Sequence, residues 1–143
     1  MGDDGAGPLL AQMLAHTQLN GWVVINGGSS PENVLHQIRE YSPSHVVVID
    51  SADMDLPAGS IRNVPQQNLE NPLYFTTHTL PLTFLVESLN EFVPQSTFIG
   101  IQPEIVAFGF PMSSSVSQAV KTLLNNIVEN TEDWYQNIEV LDL

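Results

Sequence analysis

His45-Val46-Val47-Val48-Ile49-Asp50 decides the fold. The β-branched side chains at Val46, Val47, Val48 and Ile49 favour extended backbone. The run shows no alternation of polar and apolar residues, which marks a strand covered on both faces, as in a parallel sheet flanked by helices. Working outward, residues 60–64 read as a short strand after a loop containing Pro57 and Gly59. Residues 97–101 and 105–108 read as two more, separated by Gln102-Pro103-Glu104. Upstream, Trp22-Val23-Val24-Ile25 reads as a buried strand closed by the turn Asn26-Gly27-Gly28.

Helical signals lie between these strands. Pro8 suits a first turn, and Leu9, Leu10, Met13 and Leu14 form an apolar face before Asn20-Gly21 ends it. Ser30 can cap a second helix with Pro31 at its first position, turning Leu35 and Ile38 inward. A third starts near Pro81 and carries Leu82, Leu85, Val86 and Leu89 at helical spacing. In the last, Val116, Ala119, Val120, Leu123, Leu124, Ile127 and Val128 form one stripe. Beyond Glu129 the chain is acidic, so residues from about 130 to 143 are expected to form a peripheral tail.

This order predicts one α/β domain over residues 1–143, a three-layer sandwich with a mostly parallel twisted sheet and helices on both faces. A chain of this class normally begins with a strand. Here a helix signal arrives by Pro8, so the first strand is expected to be missing.

Charge and composition narrow the function. Three basic residues against sixteen acidic ones give a formal charge of −13, which repels phosphate backbones and anionic lipid. Nucleic-acid and membrane partners are therefore not expected. With no cysteine in the sequence, disulfides, thiolate metal sites and cysteine nucleophiles are excluded. The N-terminus has no basic-then-apolar signal, and no apolar run approaches the ~20 residues of a membrane span. A cytoplasmic monomer is the expectation.

In open α/β sheets the functional crevice lies beyond the carboxyl ends of the strands. Asp50 closes the strand from His45, Asp3 and Asp4 precede the first helix, and His78 lies in the loop leading to the third. Two carboxylates and an imidazole on one edge suit a divalent ion such as nickel, zinc or manganese. Taken singly, each residue has an ordinary structural role: Asp4 complements a helix dipole, Asp50 caps a turn, and His78 is an exposed loop residue. His16, His36 and His45 read as structural.

Five blocks carry a family likeness in order: Gly2-Asp3-Asp4-Gly5-Ala6-Gly7-Pro8, Asn26-Gly27-Gly28-Ser29-Ser30-Pro31-Glu32-Asn33, Val48-Ile49-Asp50-Ser51-Ala52-Asp53-Met54, Thr76-Thr77-His78 and Gly100-Ile101-Gln102-Pro103-Glu104. Together they resemble the hydrogenase maturation proteases. The resemblance implies an aspartic-type endopeptidase that removes a C-terminal peptide from the nickel–iron hydrogenase large-subunit precursor after nickel insertion, so that the metal site can close. It places the family's metal-contacting residues on Asp4, Asp50 and His78, with Asp4 and Asp50 also the catalytic carboxylates. The nickel is then that of the substrate rather than an ion of the protease. Two departures stand out: the family's N-terminal strand, with its Gly-Asn turn, is absent, and Asn26 replaces a usual acidic residue.

A phospho-acceptor receiver domain is the rival reading, with Asp3-Asp4 and Asp50 as its acidic set and Thr76 or Thr77 as its switch. It lacks the lysine such a domain needs at a late strand end, because Lys121 falls within the final helix. A fragment of the peptidase acting only as a binding scaffold is the third option.

Overall fold

The computed structural model describes residues 5–27, 31–69, 82–104 and 111–141. In chain order its elements are α1 (Ala6–Ala15), α2 (Pro31–Tyr41), β1 (His45–Ser51), β2 (Ile61–Val64), α3 (Gln66–Leu69), α4 (Leu82–Asn90), β3 (Gln95–Ile101) and α5 (Ser114–Glu129), with a final 3₁₀ turn at Trp134–Asn137. Asp3, Asp4, Ser30, Thr76, Thr77, His78 and the strand expected at 105–108 lie outside the described residues.

The sheet has the order β1-β3-β2. β1 and β3 run parallel, in register from His45 opposite Gln95 to Ser51 opposite Ile101. β2 returns antiparallel along the other side of β3, so the described sheet is mixed. Period-two alternation sends the β1 side chains to two cores. Val47 and Ile49 join Ile99, Ile101 and the apolar faces of α1 and α5. Val46 and Val48 face the other way, toward Phe98 and the inner faces of α2 and α4, among them Val34, Ile38, Leu85 and Leu89. Helices therefore cover both faces, giving the expected three layers. In α5, Val116, Ala119, Val120, Leu123 and Ile127 are buried, and the Ser113 hydroxyl caps the helix by accepting the Val116 N–H. Val128, at the margin of that stripe, is instead exposed.

Two expectations are corrected. Trp22-Val23-Val24-Ile25 forms no strand: it pairs with no other strand among the described residues, and Val23 is exposed. β-branched composition alone does not make a strand; a ladder partner is needed. Between this segment and the outer edge of β1 lies an apolar cavity of about 370 Å³, lined by residues including Leu10, Leu14, Val24, Ile38 and Val47. Trp22 is fixed at its far side, its indole N–H donating to the Thr131 carbonyl at 2.6 Å.

The acidic tail, expected to be peripheral, is packed against the domain instead. Trp134 and Leu141 are both in the core. The Asn63 N–H donates to Glu139 O at 2.9 Å, and the Leu141 N–H to Asn63 O at 2.8 Å, so the tail lies along the free edge of β2. Glu132, Asp133 and Glu139 stay exposed while Trp134 and Leu141 turn inward. Arg62 reaches across to Glu139 at 3.5 Å.

Candidate functional site

Parallel β1 and β3 finish together, so Asp50 and Ser51 of β1 stand beside Gly100 and Ile101 at the carboxyl edge of the sheet. This is the edge where a crevice was expected. The Asp50 carboxylate oxygen Oδ1 accepts the Ser51 N–H at 2.8 Å. α1 brings its first turn to the same place. A Cβ on Gly7 would sit 2.8 Å from Ile49 O and 3.8 Å from Asp50 Cα, a separation only glycine allows. The positive end of the helix dipole thus lies against the end of β1. The end of α4 lies at the opposite edge, where the Ser96 hydroxyl donates to Asn90 Oδ1 at 3.4 Å near the start of β3.

The chain leaving β1 folds over the end of β3. The Ala52 N–H donates to Ile101 O at 3.0 Å. A Cβ on Gly100 would meet Met54 Sδ at 3.0 Å and Ala52 Cβ at 3.1 Å, so this glycine makes room for the crossing. Asp55, at φ 57°, turns the loop, and its N–H donates to Asp53 Oδ1 at 3.3 Å. Gly59, at φ 86°, brings the loop back against the Ser115 carbonyl.

Gln102 holds this loop from beneath. Its side chain is buried, and its carboxamide oxygen accepts the Met54 N–H at 2.6 Å and the Leu56 N–H at 3.3 Å. Its Nε2 donates to Asp53 Oδ1 and to Pro103 O, each at 3.2 Å. Its backbone binds the far end of the loop, with Gly59 N–H donating to Gln102 O and Gln102 N–H to Ser60 O, each at 2.9 Å. Sequence reasoning treated Gln102 as part of a separator between strands. The available signal was a long amide placed directly after a buried strand and fixed by a following proline.

Of the three sequence-predicted site residues, Asp50 lies at the strand end as expected, while Asp4 and His78 fall outside the described residues. No group of three His, Asp or Glu side chains converges among the described residues. The remaining histidines have structural partners or stand apart. His36 pairs with Glu40 at 3.1 Å on the surface of α2, and His16 caps the end of α1. His45 is at the opposite end of β1 from Asp50. Its Nε2 lies 2.8 Å from Thr97 Oγ1, its ring packs edge-on to Tyr135 at 4.5 Å, and burial lowers its pKa from 6.5.

A sequence profile for hydrogenase maturation proteases matches residues 8–130. The chain is 42% identical over 137 residues to the hydrogenase 3 maturation protease of Escherichia coli K12, covering 96% of this chain and 85% of that one. A putative hydrogenase maturation protease of Methanocaldococcus jannaschii is 30% identical over 141 residues, covering 92% and 82% of the two chains. Among solved structures, the solution structure of the E. coli endopeptidase HycI superimposes with a TM-score of 0.85 at 37% identity, covering 99% of this chain and 90% of that one. A crystal structure of a hydrogenase 3 maturation protease gives the same TM-score at 38% identity, covering 100% and 90%.

Proposed function

The chain belongs to the hydrogenase maturation protease family, and from that premise we propose that it removes a C-terminal peptide from the precursor of a nickel–iron hydrogenase large subunit after nickel insertion. It is a peptidase by family. The receiver reading is overturned by the match over residues 8–130, and Lys121 lies exposed on α5. The finer reading is an aspartic-type endopeptidase that recognises the nickel of its substrate, acting in the cytoplasm as a monomer.

One observation carries the assignment of the site: Asp50 ends β1 directly beside the first turn of α1, held there by the Gly7 contact. Asp4 immediately precedes that turn in the sequence, and His78 lies in the sequence segment leading into α4. We assign Asp4, Asp50 and His78 to the contact with the substrate's nickel, an oxygen–oxygen–nitrogen set suited to that ion. Peptide hydrolysis needs a water that loses a proton as it attacks the scissile carbonyl and a leaving nitrogen that gains one. A carboxylate can shuttle that proton, and Asp4 and Asp50 are the candidates for it. Nickel held by the precursor would position the scissile segment against them and polarise what it binds.

Asp50→Asn tests this reading. It keeps the shape and the acceptor for the Ser51 N–H while removing the charge. Processing of nickel-loaded precursor should fall by on the order of 100-fold or more, with the melting temperature near that of the parent. Processing at the parental rate would remove Asp50 from the site.

A further inference from the structure

We infer that Gln102 is a positioning residue for the peptidase reaction: its buried side chain fixes the loop that follows Asp50 and holds the Asp53 carboxylate at the carboxyl edge of the sheet. The inference rests on the assignment of Asp50 to the site. A buried carboxamide offers two donors and an acceptor oxygen with two lone pairs. Here the oxygen serves the Met54 and Leu56 N–H groups, and the nitrogen serves Asp53 Oδ1 and the Pro103 carbonyl. Every one of these capacities is used at a side chain only 7% exposed. The four partners are not spread over the molecule. Three of them belong to residues 53–56, the stretch that begins three positions after Asp50.

The same residue also closes the loop through its backbone, to Gly59 and Ser60. The crossing over β3 has no slack, because Met54 and Ala52 already lie on Gly100. Asp53 is oriented from two sides, by the Gln102 Nε2 and by the Asp55 N–H. Loss of the Gln102 donor would free the carboxylate to swing and leave the loop wall beside Asp50 without its anchor. Displacements of about 1 Å near a reacting centre can cost about 100-fold in rate. A core of the same volume would not require a residue with this donor and acceptor pattern, so the role is separable from packing.

The separating substitution is Gln102→Glu, which preserves size and the acceptors for Met54 and Leu56 while replacing the donor to Asp53 with a second carboxylate. The partner change Asp53→Asn restores a donor–acceptor pair in the reverse sense. With nickel-loaded precursor, Q102E should lower kcat by roughly 10- to 100-fold with KM little changed. The double variant Q102E/D53N should recover part of that loss, because the new carboxylate still faces Pro103 O and the new amide nitrogen faces the Asp55 N–H. Melting curves recorded alongside would show each variant folded at the assay temperature. A loss in Q102E that merely tracks its unfolded fraction would overturn the inference, as would a double variant no more active than Q102E. Asp50→Asn in the same assay separates the two readings. If D50N is inactive and Q102E fully active, Gln102 has no positioning role. If D50N is fully active, the site itself is misassigned.

Discussion

At the scale of single residues, the glycines and buried polar groups around Asp50 constrain the site most. Gly7 allows α1 to touch the end of β1, and any side chain there would press on the Ile49 carbonyl. Gly7→Val is expected to cost about 1–3 kcal/mol through overpacking and to lower processing by moving the first turn of α1 away from Asp50. Thermal melting and a processing assay check both effects; an unchanged melting temperature would show that the contact is looser than described. His45, at the other end of β1, governs stability and not chemistry. Burial lowers its pKa in the folded state, so the unfolded chain binds the proton more readily. Its contribution is present above the unfolded value of about 6.5 and is lost as pH falls below it toward the folded value. The melting temperature should therefore drop between about pH 7.5 and about pH 5.5, and His45→Gln should drop less over the same range. An identical drop in both proteins would assign the acid sensitivity to other groups.

Among the elements, those with strong periodicity were the legible ones. β1 was readable because it lies under helices on both faces and needs no polar position, and α5 because its stripe repeats over four turns. Trp22-Val23-Val24-Ile25 was misread because its local composition is that of a strand while pairing is a property of its neighbours. The tail was misread for a related reason. Its charge suggested a solvated segment, yet Trp134 and Leu141 anchor it against α5 and β2. Trp134→Ala is expected to destabilise the domain by about 3–5 kcal/mol, a value typical of large core residues. A change within about 0.5 kcal/mol in denaturant unfolding would restore the peripheral reading. At the site, Asp50 could be picked out as the residue closing a buried strand. Gln102 was legible only as a long amide after a buried strand, because its four partners are brought together by the folded loop.

For the molecule as a whole, topology does the positioning. Parallel β1 and β3 end at one edge and the first turn of α1 abuts it, so segments far apart in sequence meet there. The fold and the family agree on a maturation peptidase. We propose that cleavage depends on nickel carried by the substrate. The direct measurement is mass analysis of the large-subunit precursor, nickel-loaded and nickel-free, after incubation with this protein. Loss of a C-terminal peptide from the loaded precursor alone is the predicted result; equal cleavage of both forms would contradict the account.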